Sequence, residues 1–488
     1  MRVPACVLPI AFALLTGCAT VKSGTDTVAG WVESPGESAP LKTKLAPGAY
    51  EQSGLAVGAD KDLSRMKGQS LGYIRQADIE RQLAVVHRRI LAASGVSEVP
   101  GRVVLIATDR PVAYSSPDGN VYLSMYWLNA LENEDELAAL IAHETAHVLL
   151  HHHNSDIVGL TQKRAETLQL TAVAVRNALE KKQASTGDTK ELASFMLLTE
   201  LTQKVVMPAW NRRQETEADL LGFDLLVSAG YVPLSMQDML AKLEAWEKHN
   251  HESETDFQQR LGEMAKTDLS KALGQLFERV VGDVSALHPE TGKRIDALGE
   301  YQRRHYDEVE IGQPRVQDWE RFRKQPKVAA MLKSYTDAFS AAALHRQGRN
   351  KEALALAQKA LKGEAASHAY PNWVTAKAAA ALNDRKATQR YLETALKSPD
   401  PVPVLYSEMI AFNEEGRRYK DALAWVDKAE QRFEDNPEWL VARIRLNRLM
   451  KKTDEVGPLL IKCGLTYPEA KRACDAAAVE PPKEQAKR

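Results

Sequence analysis

From Leu63 to Ala93 the apolar residues Leu71, Ile74, Ile79, Leu83, Val86 and Ile90 fall at helical spacing, and Gly95 stands where a helix C-cap belongs. The pattern predicts one core helix there. Val103 to Ala107 is an unbroken, β-branched run of strand length, and it predicts a buried strand. Val112–Ser115 and Val121–Ser124 are shorter runs on either side of Ser116-Pro117-Asp118-Gly119-Asn120, whose residue types suit a turn, so a hairpin is expected. Asn133-Glu134-Asp135-Glu136 has the form of a capping box, and the helix it opens turns Leu137, Leu140, Ile141 and Val148 towards a core. Residues 156–210 read as amphipathic helix around Ser185-Thr186-Gly187-Asp188, with no apolar run long enough to cross a bilayer. A further helix passes through Glu215 and Asp219 to Leu225 and stops at Gly230, with Pro233 beyond. Residues 235–286 read as more helices, and from Lys327 onward the chain becomes pairs of short, alanine-rich ones.

Length and composition narrow this picture little. A chain of 488 residues suggests roughly three domains, and 44% hydrophobic content supplies ordinary globular cores. Lys and Arg number 64 against 65 Asp and Glu, with no basic stripe, so no nucleic-acid partner is expected. The ends change the picture more. Arg2 precedes an apolar run from Val3 to Leu15, the build of a secretory signal and too short to span as a transmembrane helix. Leu15-Thr16-Gly17-Cys18 resembles a bacterial lipobox, which implies cleavage before Cys18 and acylation of that residue. Acyl chains at about 0.8 kcal/mol per buried methylene would anchor an exported, periplasm-facing protein, and Ala19 in place of aspartate favours the outer membrane. The expected organisation is a signal over 1–17, a lipidated tether over 18–58, a catalytic domain over 59–326, helical repeats over 327–476 and a charged tail over 477–488.

The chemistry concentrates in His143-Glu144-Thr145-Ala146-His147. On a helix two histidines four apart lie one turn above each other and can reach one metal ion. Glu144 points to the side of that pair, where it can take a proton from a water that zinc acidifies to a pKa of about 7. Downstream, Glu215 and Asp219 are again four apart on a helix. One carboxylate can bind the metal while the other accepts the ring N–H of a ligating histidine. The three residues that follow the first helix, His151, His152 and His153, are expected to favour its C-terminal dipole rather than bind metal.

Together these motifs resemble the gluzincins of metallopeptidase family 48, which include BepA-type periplasmic proteases, HtpX and the CAAX prenyl proteases. The likeness runs from about Asp60 to Tyr301 and includes Glu136-Leu137-Ala138-Ala139, His152, and His288-Pro289 followed by Arg294-Ile295. It implies an α+β zincin-like protease domain, mostly helical with a small sheet, holding one zinc ion through His143, His147 and Glu215, with Asp219 as outer support and Glu144 as catalytic base. The hairpin would then offer an edge strand to a substrate backbone, or serve structure alone. Pro289 fixes the backbone beside His288, which either caps the following helix or approaches the metal as a gating ligand or transition-state stabiliser.

In the last third, Gly348, Ala353 and Ala360 match the small-residue offsets of a tetratricopeptide repeat, as do Ala422 and Ala429, with Gly416 one residue too far upstream. Thr388 and Ala395 carry a weaker middle copy. An all-α TPR-like solenoid, or a generic helical array, is expected, and a solenoid would recruit peptides or assembly partners. Cys463 and Cys474 bracket the last helical hairpin, and in an exported protein they can form a disulfide contributing about 3 kcal/mol. The resemblance implies a zinc endopeptidase acting on misfolded or stalled outer-membrane proteins. The competing reading is a chaperone or assembly scaffold that works through its repeats.

Overall fold

The computed structural model describes residues 38–66, 72–154, 212–250, 260, 291–310, 312–433 and 436–479. Cys18, the signal residues, the region 156–210 and His288 lie outside the described residues.

A 3-10 turn at Leu41–Lys44 and strand β1 (Gly48–Ala49) precede helices α1 (Ala59–Met66) and α2 (Ala77–Ser94). Strand β2 (Val96–Ser97) runs parallel to β1. Strands β3 (Val103–Ile106), β4 (Ala113–Ser115) and β5 (Val121–Ser124) form a second sheet in the order β3-β5-β4, with β3 parallel and β4 antiparallel to the central strand. The expected turn joins β4 to β5: the Gly119 amide donates to the Ser116 carbonyl at 3.0 Å, and Gly119 has a φ of 78°. Only glycine fits, because a Cβ there would stand 2.1 Å from the Pro100 carbonyl oxygen.

Helix α3 (Met125–Ala130) leads to α4 (Glu134–Leu149), the centre of the domain. Asn133 caps α4 by accepting from the Glu136 amide at 2.8 Å, and a Glu136 carboxylate oxygen accepts from the Glu132 amide. Every residue from Asp135 to Leu149 is buried, because α2, strand β4, α5 (Arg212–Ser228) and α6 (Ser235–Asn250) pack around it. A helix surrounded in this way has no solvent face. Helix α5 ends as expected, with Gly230 left-handed at φ 68° just beyond it. Helix α7 (Thr291–His305) packs on α5 and α6.

Helices α8 (Val316–Arg323) and α9 (Pro326–Arg346) begin the all-helical part, followed by α10 (Asn350–Ala360), α11 (Ala369–Ala381), α12 (Arg385–Leu396), α13 (Pro403–Glu415), α14 (Tyr419–Arg432), α15 (Pro437–Leu449), α16 (Thr453–Thr466) and α17 (Lys471–Ala478). Helices α12, α14 and α16 start at Arg385, Tyr419 and Thr453, each 34 residues after the last. That is the length of a tetratricopeptide unit. The small residues Ala353, Ala360, Ala395, Ala422 and Ala429 are all fully buried between neighbouring helices. Cys463 stands 34 residues after Ala429 and bonds to Cys474, the expected pair. The turns within the helical pairs α9–α10, α11–α12, α13–α14 and α15–α16 have their left-handed residue at Gly348, Asn383, Arg417 and Lys451. Arg417 therefore fills the position that Gly416 misses by one, so the register is regular although the glycine is displaced.

Three expectations are corrected. The periodic stretch 63–93 is two helices, because the Ile74 amide bonds to the Leu105 carbonyl at 2.8 Å and the Gln76 side chain caps α2 through the Ile79 amide. The tether is shorter than 18–58. Leu41 is buried, its amide donating to the Tyr301 hydroxyl at 2.7 Å, the Lys42 amide donates to Asp224 at 2.7 Å, and the Val57 amide donates to Asp118 at 2.7 Å. Nor do two separate cores meet at residue 327: one continuous core includes Leu41, the α4 residues, Tyr335, Phe339 and Val374. Among the described residues no helix is long and apolar enough to cross a membrane.

Candidate metal centre

Two helices supply the site. The 3.6-residue period of α4 stacks His143 and His147, and the same period on α5 stacks Glu215 and Asp219 against them. The helices can approach this closely because residue 222 on α5 is a glycine facing the His143 backbone.

His143 Nε2 lies 3.2 Å from His147 Nε2 and 3.7 Å from a Glu215 carboxylate oxygen, and His147 Nε2 lies 3.3 Å from the other. All three side chains are buried. Three lone-pair donors facing one another in a dry interior are favourable only around a cation or protons. Tetrahedral zinc, with bonds of about 2.0–2.1 Å, holds its ligand atoms about 3.3–3.4 Å apart. The His–His spacing and the nearer His–Glu spacing are close to that value, the donor types suit zinc, and among the described residues this is the one group of three or more such side chains able to hold a metal.

Each ligand is in turn held. His143 Nδ1 lies 2.9 Å from Asp219 Oδ1, the support expected of Asp219. Arg294, buried on α7, donates through Nε and Nη2 to the two Asp219 oxygens at 2.6 and 2.7 Å, and its Nη1 reaches Glu215 at 2.8 Å. Burial would raise the Asp219 pKa, but the Arg294 guanidinium and the His143 ring together hold it below the usual carboxylate value. Burial opposes the Arg294 charge, and the two carboxylates more than restore it. Desolvation pushes the His147 pKa well down, so its imidazole is neutral, as a metal ligand must be. Glu144 is fully buried beside His143, close enough for its charge to act on Arg294.

The residues after α4 depart from expectation. They fold back against the site instead of standing off the helix end. His151 adopts a left-handed φ of 52°, which turns the chain back and brings His152 Nδ1 to 2.8 Å from His147 Nδ1. Burial lowers the His153 pKa to about 4, and its ring donates to the Ser115 carbonyl at 3.1 Å. Arg294, His152 and Glu217 are thus site residues that spacing alone missed. Arg294 carried a signal in the third motif, His288 to Ile295, and His152 in its recurrence after His147; neither showed which atom it would touch. Strand β4 lies at the outer side of its sheet and packs on α4, the helix that carries both histidines.

Two helix-borne imidazoles, a carboxylate from a second helix and a glutamate beside the first imidazole make a metal-binding arrangement of the kind that metallopeptidases use. Residues 75–302 match the profile of peptidase family M48, and the chain carries a domain of that family. Over 162 residues it is 30% identical to the mitochondrial metalloendopeptidase OMA1 of Schizosaccharomyces pombe, covering 33% of this chain and 43% of that protein. It is 23% identical over 205 residues to the beta-barrel assembly-enhancing protease of Yersinia pestis, 41% of each chain. The protein of that name in Escherichia coli K12 is 26% identical over 157 residues, 32% of this chain and 30% of its own. The matched segment therefore spans less than half the length of each of these relatives.

Proposed function

We propose that this peptidase is a zinc endopeptidase of the bacterial envelope, exported, acylated at Cys18 and facing the periplasm, with its helical pairs acting as TPR-like recruiting repeats. The carrying observation is the buried His143, His147 and Glu215 group, with its imidazole nitrogens 3.2 Å apart and each within 3.7 Å of a Glu215 oxygen, close enough for one metal ion. These three residues would hold the metal, and zinc bound there supplies Lewis acidity towards water and the scissile carbonyl.

The chain's own chemistry falls to Glu144. As a carboxylate it takes a proton from the attacking water, whose oxygen bonds to the carbonyl carbon. The protonated Glu144 then gives that proton to the amine as the C–N bond breaks, and returns to a carboxylate. Asp219 and Arg294 keep His143 and Glu215 in register throughout. The beta-barrel assembly-enhancing proteases among the relatives support a substrate class of stalled or misfolded outer-membrane proteins. The signal-like N-terminus and lipobox support the location.

The helical array favours the second reading, a scaffold that acts through its repeats. One variant separates them. In Glu144→Gln, zinc should stay bound because Glu144 is not a ligand, while turnover of an unfolded protein substrate falls by orders of magnitude. Unchanged proteolysis by the purified variant would sink the mechanism. Loss of proteolysis without any change in envelope-protein half-lives in cells would favour the scaffold.

A further inference from the structure

We propose that His152 is a positioning residue of the metal centre, fixing His147 in one tautomer and one orientation, with Glu217 fixing His152 in turn. The inference rests on the metal-centre reading above and extends it to residues that bind no metal.

His147 Nε2 faces His143 Nε2 at 3.2 Å and Glu215 at 3.3 Å, so it must carry the lone pair that a metal would take. The ring proton then sits on Nδ1, which lies 2.8 Å from His152 Nδ1 and donates to it. An accepting Nδ1 leaves the His152 proton on Nε2, which lies 3.3 Å from a Glu217 oxygen and donates there. Arg213 holds the other Glu217 oxygen from Nε at 3.2 Å, and Gln214 donates to the His152 carbonyl at 3.1 Å. His152 is only 5% exposed, so water competes little for these bonds.

The two ligand histidines are therefore supported by different chemistry. His143 leans on a carboxylate that is itself clamped by Arg294, whereas His147 leans on the His152 ring, whose far side meets a carboxylate. Helix α5 supplies both the ligand Glu215 and, two residues on, the end of the relay at Glu217. Outer partners of ligand histidines set tautomer and orientation, and their loss typically weakens metal binding 10- to 100-fold.

The test is zinc affinity of the full-length protein, measured by competition with a chelator, for wild type, His152→Phe, His152→Asn and Glu217→Gln, with melting of each metal-free form and the visible spectrum of each cobalt form alongside. Phenylalanine keeps a flat ring, somewhat larger than imidazole, and removes the acceptor, while the asparagine oxygen can stand near the place of Nδ1. His152→Phe should bind zinc about 10- to 100-fold more weakly, with shifted cobalt bands. His152→Asn should recover part of the affinity and the spectrum, and Glu217→Gln should lose less than His152→Phe. Zinc binding in His152→Phe as tight as in wild type, or equal losses in the Phe and Asn variants, would overturn the proposal. If His152→Phe does not fold, unchanged affinity in both remaining variants overturns it. A wild-type protein that binds no zinc would instead refute the metal centre itself.

Discussion

Gly222 on α5 lies against the backbone of His143 on α4: a Cβ at residue 222 would stand 3.2 Å from the His143 amide nitrogen and 3.4 Å from the Ala142 carbonyl carbon. The helix that brings Glu215 and the helix that brings the histidines are in contact at the level of the metal, and the contact is backbone to backbone. A larger residue meets Met236 Cε first, at 2.7 Å, and then both backbone atoms, so it must displace that side chain and press the two helices apart. Gly222→Val should cost about 1–3 kcal/mol of stability from overpacking. It should also weaken zinc binding, because the same displacement stretches the distances from Glu215 to the two imidazoles. Denaturant midpoints and chelator competition measure the two effects, and a variant unchanged in both would show that the helices do not depend on this contact.

Arg294 carries a second prediction. It makes two hydrogen bonds to Asp219 and an ion pair with Glu215, so Arg294→Met leaves both buried carboxylates without their countercharge and should destabilise the metal-free protein by about 3–5 kcal/mol. Arg294→Lys keeps the charge but lacks the planar fork, and should fall between the two. Thermal melting of metal-free samples gives the order. Equal stability of the Met variant and wild type would mean the carboxylates are satisfied by other groups.

The continuous core predicts where the chain can be cut. Val328, Met331, Tyr335 and Phe339 on α9 belong to the same core as the catalytic domain, and Arg75 reaches across to Asp400 at 2.6 Å. A chain ending at Gln325 should therefore aggregate or melt without cooperativity. One ending at Arg432, after α14, keeps the shared core and should retain zinc and peptide-bond hydrolysis. A soluble, zinc-loaded protein from the shorter chain would restore a domain boundary near residue 327.

His87 on α2 sets a pH dependence away from the metal. Burial, with a smaller contribution from Arg88, lowers its pKa from 6.5 to about 4. Between those values the unfolded chain binds a proton that the folded protein refuses, so the stabilisation is present above pH 6.5 and lost as pH falls towards 4. The size is up to about 3 kcal/mol. His87→Leu should flatten this part of the stability profile between pH 7 and 5, read from urea midpoints. A profile of unchanged slope would place the acid sensitivity at other groups.

What the sequence alone determined is whatever depends on residues a turn or a few apart. His143 with His147 and Glu215 with Asp219 need only the helical period, and the Asn133 cap and the Ser116–Asn120 turn need only local hydrogen bonds. The pairing of small residues in the repeats is legible for the same reason, each copy repeating one short-range contact. What the tertiary structure decided depends on partners far along the chain. The helix expected over 63–93 breaks because Ile74 finds a backbone partner at Leu105, the segment from Leu41 packs because Tyr301 accepts its amide, and Arg294 meets two carboxylates on another helix. His152 lies five residues from His147, yet its role depends on a left-handed His151 and on Glu217 from α5. Spacing along one helix fixes which side chains share a face. Which face meets which carboxylate is settled only when buried polar groups, unable to reach water, take the partners that packing brings to them.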